Sequence, residues 1–160
     1  MTDKPVRVNV AMPSDEEDLF PLLMMAHKEN AAMPLSENRV REIITTATRR
    51  KGGVIGIIRG PEKIEGCLSL KLARFPYTDE WHLEDICNYV HPDHRKSNHA
   101  KDLIQFGHWI SEQMGFPLFI GILTGKRLEA KRKFYQRYAG KEVGSVFVHN
   151  PTYGALAEMG

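Results

Sequence analysis

The sequence predicts an α/β (α+β) domain with an antiparallel front half and a back half that resembles a βαβ unit. Two observations lead to this prediction. In some segments apolar and polar residues alternate, as in strands, and in others apolar residues recur every three or four positions, as in helices. These segments follow one another as strand, two helices, three strands, helix, strand, helix and strand. Such a mixed order is typical of an α/β domain.

Length and composition agree with one globular domain spanning residues 1–160. The chain of 160 residues can bury a substantial core, and its 42% hydrophobic and 26% charged residues are ordinary for a globular protein. The net charge of +2 is too small to indicate a nucleic-acid or membrane partner. Met1–Pro5 shows no signal-peptide pattern, and the longest apolar run, Phe116–Leu123, is too short to span a bilayer. We therefore expect a cytoplasmic protein.

The cysteines and histidines indicate neither a disulfide nor a metal site. Cys67 and Cys87 each lie in an apolar segment, and neither belongs to a cluster with zinc-ligand spacing. His91, His94 and His99 are close in sequence, yet no set of histidines and carboxylates has a metal-binding spacing. We expect buried free thiols in a reducing compartment and no metal.

The front half is predicted to contain a strand, two helices and a hairpin. Alternation over Val6–Met12 predicts a half-buried strand. Ser14 and Glu17 form a capping-box pattern for a helix whose apolar face would be Leu19, Leu22, Leu23 and Ala26. Ser36 can cap a second helix whose inner face would be Val40, Ile43, Ile44 and Ala47. The hairpin strands are Val54–Arg59 and Ile64–Phe75.

The back half is predicted to alternate strands and helices. His82–Val90 is a strand that ends before a proline, and Asn98–Met114 is a helix that a glycine stops. Leu118–Thr124 is continuously apolar, which predicts a strand buried on both faces. Lys126–Ala139 is a basic helix expected to bury Leu128, Tyr135 and Tyr138. Val143–His149 is predicted to be the last strand.

A polar turn, Asp93–His99, joins the fourth predicted strand to the following helix. A helix start offers unpaired N–H groups and the positive end of the helix dipole, so such a turn can hold phosphate. Arg95 and Lys96 would add positive charge. The plain alternative is a solvated turn in which Ser97 or Asn98 caps the helix. The turn by itself does not decide between the two.

This segment resembles the pyrophosphate-binding signature of the GNAT acetyltransferase superfamily. That signature is Q/R-x-x-G-x-G/A after a strand ending in Val and Pro, and the matching residues here are Val90, Pro92, Arg95, Asn98 and Ala100. The family's order of elements is also the one predicted above. Asn98 stands where the family usually has glycine. Asparagine tolerates a left-handed conformation and caps helices well, so we expect the turn to survive with a narrower phosphate site.

The resemblance implies a single acyl-CoA N-acyltransferase-like domain with a mixed, mostly antiparallel central sheet flanked by helices on both faces. It implies transfer of an acetyl group from acetyl-CoA, as cosubstrate, to a primary amine by direct attack in a ternary complex. The acceptor would be a small molecule or a peptide amine, and a homodimer is compatible with the family. The implied cofactor-binding residues are Asn88, Tyr89, Val90, Arg95, Lys96, Ser97, Asn98, His99 and Ala100.

The resemblance also implies a general base on the fourth strand. An ammonium acceptor must lose a proton before it can attack the thioester. Glu84 lies six residues before Val90 and matches the general-base glutamate of some family members. Its neighbour Asp85 points to the opposite face because side chains alternate along a strand. Resemblance favours Glu84, and which of the two carboxylates faces the cleft is left open.

The implied general acid is Tyr135. Phe134 and Tyr135, with Gly140 after them, resemble the family's F/L-Y-x-x-x-G segment, in which the tyrosine hydroxyl lies near the thioester sulfur. A phenol, with a pKa of about 10, holds its proton at neutral pH and can donate it to a thiolate. The alternative is a core tyrosine at helical spacing with Tyr138.

Two features keep a rival hypothesis open, that of a non-catalytic acyl-CoA-binding or protein/nucleic-acid interaction module on the same fold. One is Asn98; the other is that Lys126–Lys131 lacks the asparagine commonly found early in the family's second helix. The run Lys126–Arg137 is basic, but the net charge of +2 favours a solvated helix face over a nucleic-acid surface. Some of its cations can meet the adenosine 3′-phosphate. The loop His27–Leu35, implied to lie beside the acceptor, has an Ala/Met/Pro character that suggests a partly apolar substrate.

Overall fold

The protein forms five strands and four helices within the part of the chain that the structure describes. The structure is a computed structural model that describes residues 1–124 and 126–150. The strands are β1 (Asn9–Val10), β2 (Gly53–Arg59), β3 (Ile64–Ala73), β4 (His82–Val90) and β5 (Leu118–Phe119). The helices are α1 (Glu16–Asn30), α2 (Glu37–Thr48), α3 (His99–Met114) and α4 (Leu128–Tyr138).

The strands form one sheet in the order β1-β2-β3-β4-β5. Neighbours from β1 to β4 run antiparallel, whereas β4 and β5 run parallel, with Leu83 opposite Leu118. Because α3 connects these two parallel strands, the back half is a βαβ unit. The predicted mixed, mostly antiparallel sheet is confirmed.

The core occupies both faces of the sheet, as predicted. On one face, α1 and α2 pack against Ile55, Ile57 and Cys67. On the other face, α3 packs against β3 and β4 through Phe106 and its neighbours. Cys67 and Cys87 are buried and free, and the neighbouring Cys87 thiol together with burial raises the pKa of the Cys67 thiol well above its ordinary value. Over residues 1–124 and 126–150, no helix is long and apolar enough to cross a membrane.

The start of α1 differs from its prediction. The prediction of a capping box from Ser14 and Glu17 is wrong, because a 3-10 turn precedes the helix. In this turn the Asp15 carboxylate accepts a hydrogen bond from the backbone N–H of Met12 at 2.8 Å. The proline after Met12 starts this tighter turn, so the carboxylate three residues on belongs to Asp15. The predicted cap of α2 is confirmed, since Ser36 Oγ accepts from a backbone N–H of the first turn at 3.4 Å.

Three predicted strands are shorter than expected or do not form. Val6–Met12 pairs only over β1, and Leu118–Thr124 only over β5, where alternate side chains are exposed instead of buried on both faces. Val143–His149 forms no strand, and the Phe147 side chain is 92% exposed. A strand needs a partner edge for its backbone groups. Because β5 is two residues long, it offers no continuous edge to a following segment.

Gly56 of β2 lies against the fully buried ring of Phe106, and its substitution tests this packing. A Cβ at Gly56 would lie 2.5 Å from two ring atoms and 2.9 Å from Val8 Cγ1. We expect Gly56→Ala to lower the free energy of unfolding by about 1–3 kcal/mol in urea denaturation, because the ring cannot move aside without disturbing the core. Gly144→Ala, whose Cβ would meet nothing within 4 Å, should change it by less than about 0.5 kcal/mol. Equal losses in the two variants would contradict this packing.

Candidate active site

The site begins where β4 bends away from β5. The register of β3 against β4 shifts after Ser69, so that Ile86 of β4 has no partner on β3. Such a bulge bends the strand that carries it. Among the described residues, β4 pairs with β5 only through Leu83 and Glu84. Beyond these two residues the two segments of the chain separate, and a gap opens between β4 and residues 120–124.

Asp85 is the first residue of β4 beyond this pairing. Its Oδ1 accepts a hydrogen bond from the backbone N–H of Gly121 at 2.9 Å. A side chain therefore joins β4 to the segment after β5 where backbone pairing ends. Burial raises the pKa of Asp85 to about 6, with a smaller contribution from the charge of Glu84, and the hydrogen bonds from backbone N–H groups oppose the rise. This carboxyl therefore titrates close to neutral pH.

A cavity of about 570 Å³, the apolar cavity, fills the gap. Its walls come from the end of α1, the connection to α2, α2 itself, β4, residues 121–124 and α4. About half of the lining residues are aliphatic or Met, and the charged ones are Asp85, Arg39 and Lys131. Such a cavity suits a ligand with an apolar body and a polar group directed at Asp85.

A second cavity of about 330 Å³, the basic cavity, lies between the end of α1, the end of β4, and the starts of α3 and α4. Four cations line it: Arg95, Lys126, Arg127 and Lys131. The Arg95 guanidinium donates to both carboxylate oxygens of Glu29, at 2.8 and 3.1 Å. Burial raises the pKa of Glu29, but the hydrogen bonds from Arg95 and a tyrosine hydroxyl outweigh it and hold this pKa below its ordinary value. A cavity so rich in cations suits an anionic ligand.

The backbone of β4 is open toward the basic cavity. The N–H of His91 donates to the carbonyl of Glu65 on β3 at 2.7 Å. Peptide groups alternate in direction along a strand, so those of Val90 and Asn88 face away from β3. The carbonyl of Val90 accepts from Arg95 Nε at 3.2 Å. An extended ligand can pair with this edge as an added strand does.

Tyr135 lies where the two cavities meet. Four residues line both cavities: Asn30, Asn88, Lys131 and Tyr135. Asn88 Nδ2 donates to Tyr135 Oη at 3.1 Å, which leaves the hydrogen of the phenol available to a ligand. Burial, and then the negative charge of Asp85, hold the pKa of Tyr135 above its ordinary value. The phenol therefore carries its proton at neutral pH.

Solved structures share this architecture over almost the whole chain. A ribosomal-protein-alanine N-acetyltransferase from Brucella melitensis biovar Abortus 2308 has a TM-score of 0.67 at 20% identity, covering 91% of this chain and 99% of that one. An acetyltransferase of Trypanosoma brucei has a TM-score of 0.65 at 21% identity, covering 89% and 97%. The aminoglycoside N-acetyltransferase AAC(6')-Iy, solved in complex with CoA, has a TM-score of 0.70 at 12% identity, covering 89% and 92%.

The chain has the fold of the GNAT acetyltransferases. At these identities the likeness establishes the fold, while the chemistry has to be argued from the site. No protein-family model and no curated protein matches the sequence.

The residues that resemble the GNAT signature line the basic cavity only in part. Five of the nine residues that the resemblance implied for cofactor binding line it: Asn88, Tyr89, Val90, Arg95 and Ala100. Lys96, Ser97 and Asn98 are exposed and line neither cavity. His99 is buried, with Nε2 3.4 Å from Glu65 Oε1.

The asparagine in place of the family's glycine causes no backbone strain. Asn98 has φ of −86° and ψ of 8°, so this turn does not use the left-handed conformation that favours glycine. Ser97 Oγ accepts from the N–H of His99 at 3.2 Å, whereas the Asn98 side chain makes no capping hydrogen bond. Of the two capping residues that the sequence suggested, Ser97 is the one that caps.

Glu84 lies outside both cavities, and Asp85 is the carboxylate that faces the cleft. Glu84 forms an ion pair with Lys71 at 3.1 Å, and His82 Nε2 lies 3.1 Å from its carboxylate. Burial raises the pKa of Glu84, but His82 and Lys71 outweigh this effect and leave the pKa below its ordinary value. A carboxylate paired in this way is a weak base.

Lys131 and Asn30 also lie at the junction. Sequence analysis considered Lys131 only as part of the basic run Lys126–Arg137, and it did not single out Asn30. Lys131 Nζ donates to Asn30 Oδ1 at 3.0 Å and to Thr124 Oγ1 at 3.3 Å. Burial lowers the pKa of Lys131, and the charge of Glu29 opposes this shift. Lys126–Lys131 lacks the family's asparagine, and Asn30 brings an amide to the same helix from α1. Only the fold joins positions so far apart in sequence.

The raised pKa of Asp85 predicts a pH-dependent stability. Between an ordinary pKa of 3.8 and a folded pKa of about 6, the folded protein binds the proton more tightly than the unfolded chain. The stability contributed by this proton is full below the lower value and is lost as pH rises through the upper one. A pKa difference of about 2 corresponds to about 3 kcal/mol. Asp85→Asn should therefore gain up to about 3 kcal/mol over the wild type between about pH 4 and about pH 7 in urea denaturation.

Glu84→Gln on the same strand is the matched control for this experiment. The folded pKa of Glu84 is lowered, so its ionised form stabilises the fold above its unfolded pKa. Glu84→Gln should therefore lose stability relative to the wild type as pH rises toward the ordinary pKa of 4.5, and this loss should stay constant at higher pH. The same sign of change in both variants would contradict the assigned environments.

Proposed function

We propose that this protein is an acetyl-CoA-dependent N-acetyltransferase that transfers the acetyl group to a primary amine by direct attack in a ternary complex. One observation carries the proposal. A cation-rich cavity along the open edge of β4 meets an apolar cavity holding Asp85, and Tyr135 lies at the junction. The donor's acyl group and the acceptor's nitrogen can meet at such a junction.

The basic cavity fits the CoA part of the donor. Arg95, Lys126 and Arg127 supply positive charge for its phosphates, together with the N-terminus of α3. The outward peptide groups of Asn88 and Val90 can pair with the amides of the pantetheine arm, since that arm resembles a strand. AAC(6')-Iy, which shares the fold, was solved in complex with CoA.

Asp85 is the proposed general base. An acceptor amine enters as an ammonium ion, and Asp85 takes one proton from it directly or through a water. A base works best when its pKa is near the operating pH, and a pKa of about 6 suits Asp85 better than the ordinary aspartate value. The hydrogen bond from Gly121 fixes one carboxylate oxygen and leaves the other for the acceptor.

Tyr135 is the proposed general acid. As the nitrogen–carbon bond forms and the carbon–sulfur bond breaks, Tyr135 gives its proton to the departing thiolate, and the second proton lost by the nitrogen restores the phenol directly or through water. Asn88 holds the phenol oxygen in place by donating to it, and the raised pKa of the phenol keeps the proton available until this step. Lys131 adds positive charge beside the developing thiolate.

The acceptor is proposed to be an amine with a largely apolar body and a single positive charge. Asp85 is the one carboxylate among the residues lining the apolar cavity, whereas Arg39 and Lys131 repel further cations. Arg39 can also bind an acceptor carboxylate. Small amines and peptide N-termini of this kind should be preferred over aminoglycosides, which are polycations.

An assay of CoA release with purified protein, acetyl-CoA and a panel of amines tests the proposal. We expect Tyr135→Phe and Asp85→Asn to lower kcat by about 10²-fold or more, because each removes a proton-transfer group. Tyr138→Phe is the matched control, since Tyr138 packs against Phe134 and lines neither cavity. Glu84→Gln should also keep its activity.

Three results would contradict all or part of the proposal. Calorimetry that shows no saturable acetyl-CoA binding at millimolar cofactor would exclude a CoA-dependent activity. Binding without turnover across the whole panel would instead support the non-catalytic module. Activity lost in Glu84→Gln and retained in Asp85→Asn would return the general base to Glu84.

A further inference from the structure

Two histidines and a glutamate meet at the turn before α3, beside the basic cavity. Glu65 Oε1 of β3 lies 3.3 Å from His94 Nδ1 and 3.4 Å from His99 Nε2. One candidate ligand atom from each residue lies within 4.8 Å of the other two. Sequence spacing gave no sign of this cluster, because Glu65 precedes His99 by 34 residues and only the sheet brings them together.

The separations within the cluster match a metal coordination sphere. Tetrahedral bonds of about 2.0–2.1 Å to nitrogen and oxygen place ligand atoms about 3.3–3.4 Å apart. Two of the three separations already have this length. The third can shorten by a small rotation of His94, whose side chain is 33% exposed, while Glu65 and His99 are held in the interior.

The Glu65 carboxylate independently indicates a missing partner. Glu65 is 9% exposed, and its Oε2 is buried without a hydrogen-bond partner. In the described part of the chain, its ion-pair partners are the two histidines and no lysine or arginine. A buried carboxylate is costly unless cations or hydrogen bonds satisfy both oxygens. A divalent cation supplies the charge and, through bidentate coordination, a partner for Oε2.

We propose that Glu65, His94 and His99 bind a divalent cation of the zinc type. Imidazole and carboxylate ligands together favour zinc and its transition-metal neighbours over magnesium or calcium, which prefer oxygen ligands. With a bidentate Glu65 these residues supply four ligand atoms, and a water can complete a five-coordinate ion. The ion joins both ends of the turn from His94 to His99 to β3, and so holds the start of α3 in place.

Zinc chloride titrated into the metal-free chain of residues 1–160 tests the proposal by calorimetry, and cobalt(II) absorption provides an optical readout. We expect one ion per chain. His94→Ala and Glu65→Gln should each weaken binding by at least about tenfold. His94 is partly exposed and the glutamine is isosteric, so both variants should fold, which circular dichroism checks.

His91→Asn is the matched control. His91 lies just before this turn, but its Nδ1 accepts from the Asp93 N–H and its Nε2 lies 3.3 Å from Lys63 Nζ, so both ring nitrogens already have partners. Asparagine can keep the backbone hydrogen bond. This variant should bind zinc as the wild type does. A wild-type Kd weaker than about 1 mM, or equal binding by the wild type, His94→Ala and Glu65→Gln, would overturn the assignment. Neither result depends on acetyl transfer.

Discussion

The hydrogen bond from the Gly121 amide to the Asp85 carboxylate marks the point on which the site depends. Up to Glu84, β4 and β5 are joined by backbone pairing, and beyond it their separation has to be bridged by something longer than a peptide group. A short carboxylate does this. It also places an ionisable group inside the gap that the separation creates. The same contact therefore sets the width of the cleft and holds the carboxylate that we propose as its base.

This arrangement has an energetic cost that explains the raised pKa. A carboxylate loses hydration as it is buried, and one backbone hydrogen bond from Gly121 restores only part of what water provided. The protein retains a group that destabilises its folded form at neutral pH. Groups that lower the stability of the folded protein in this way are typical of functional positions. The pairing of Glu84 with Lys71 and His82 shows the opposite case, a carboxylate whose partners lower its pKa.

Elements far apart in sequence meet at the junction of the two cavities. The last turn of α1 contributes Glu29, which holds Arg95, and Asn30, which contacts Lys131 of α4. These contacts tie α1 to the start of α3 and to α4 across the open end of the sheet. They fix the cations around the basic cavity before a ligand arrives, and pre-organisation of this kind lowers the cost of binding.

Sequence reasoning predicted the fold well where periodicity and local chemistry act together. The helices, the hairpin and the βαβ unit were all predictable from apolar spacing and turn residues. It failed for Val143–His149 and for the burial of Leu118–Thr124, because pairing depends on whether a partner edge exists. It also could not decide between Glu84 and Asp85: alternation separates their faces, but only the fold shows which face meets the cleft. The contacts of Glu29 with Arg95, of Asn30 with Lys131, and of Glu65 with His99 join residues far apart in sequence. Such contacts leave no local pattern in the sequence.

A crystal structure of the protein with CoA bound would test the central claim most directly. We predict that CoA lies in the basic cavity along the end of β4, with its sulfur within about 3–4 Å of Tyr135 Oη. Asp85 should face the sulfur from the apolar cavity. CoA bound outside the basic cavity, or a sulfur placed beside Glu84 and away from Tyr135, would contradict the proposed roles of both residues.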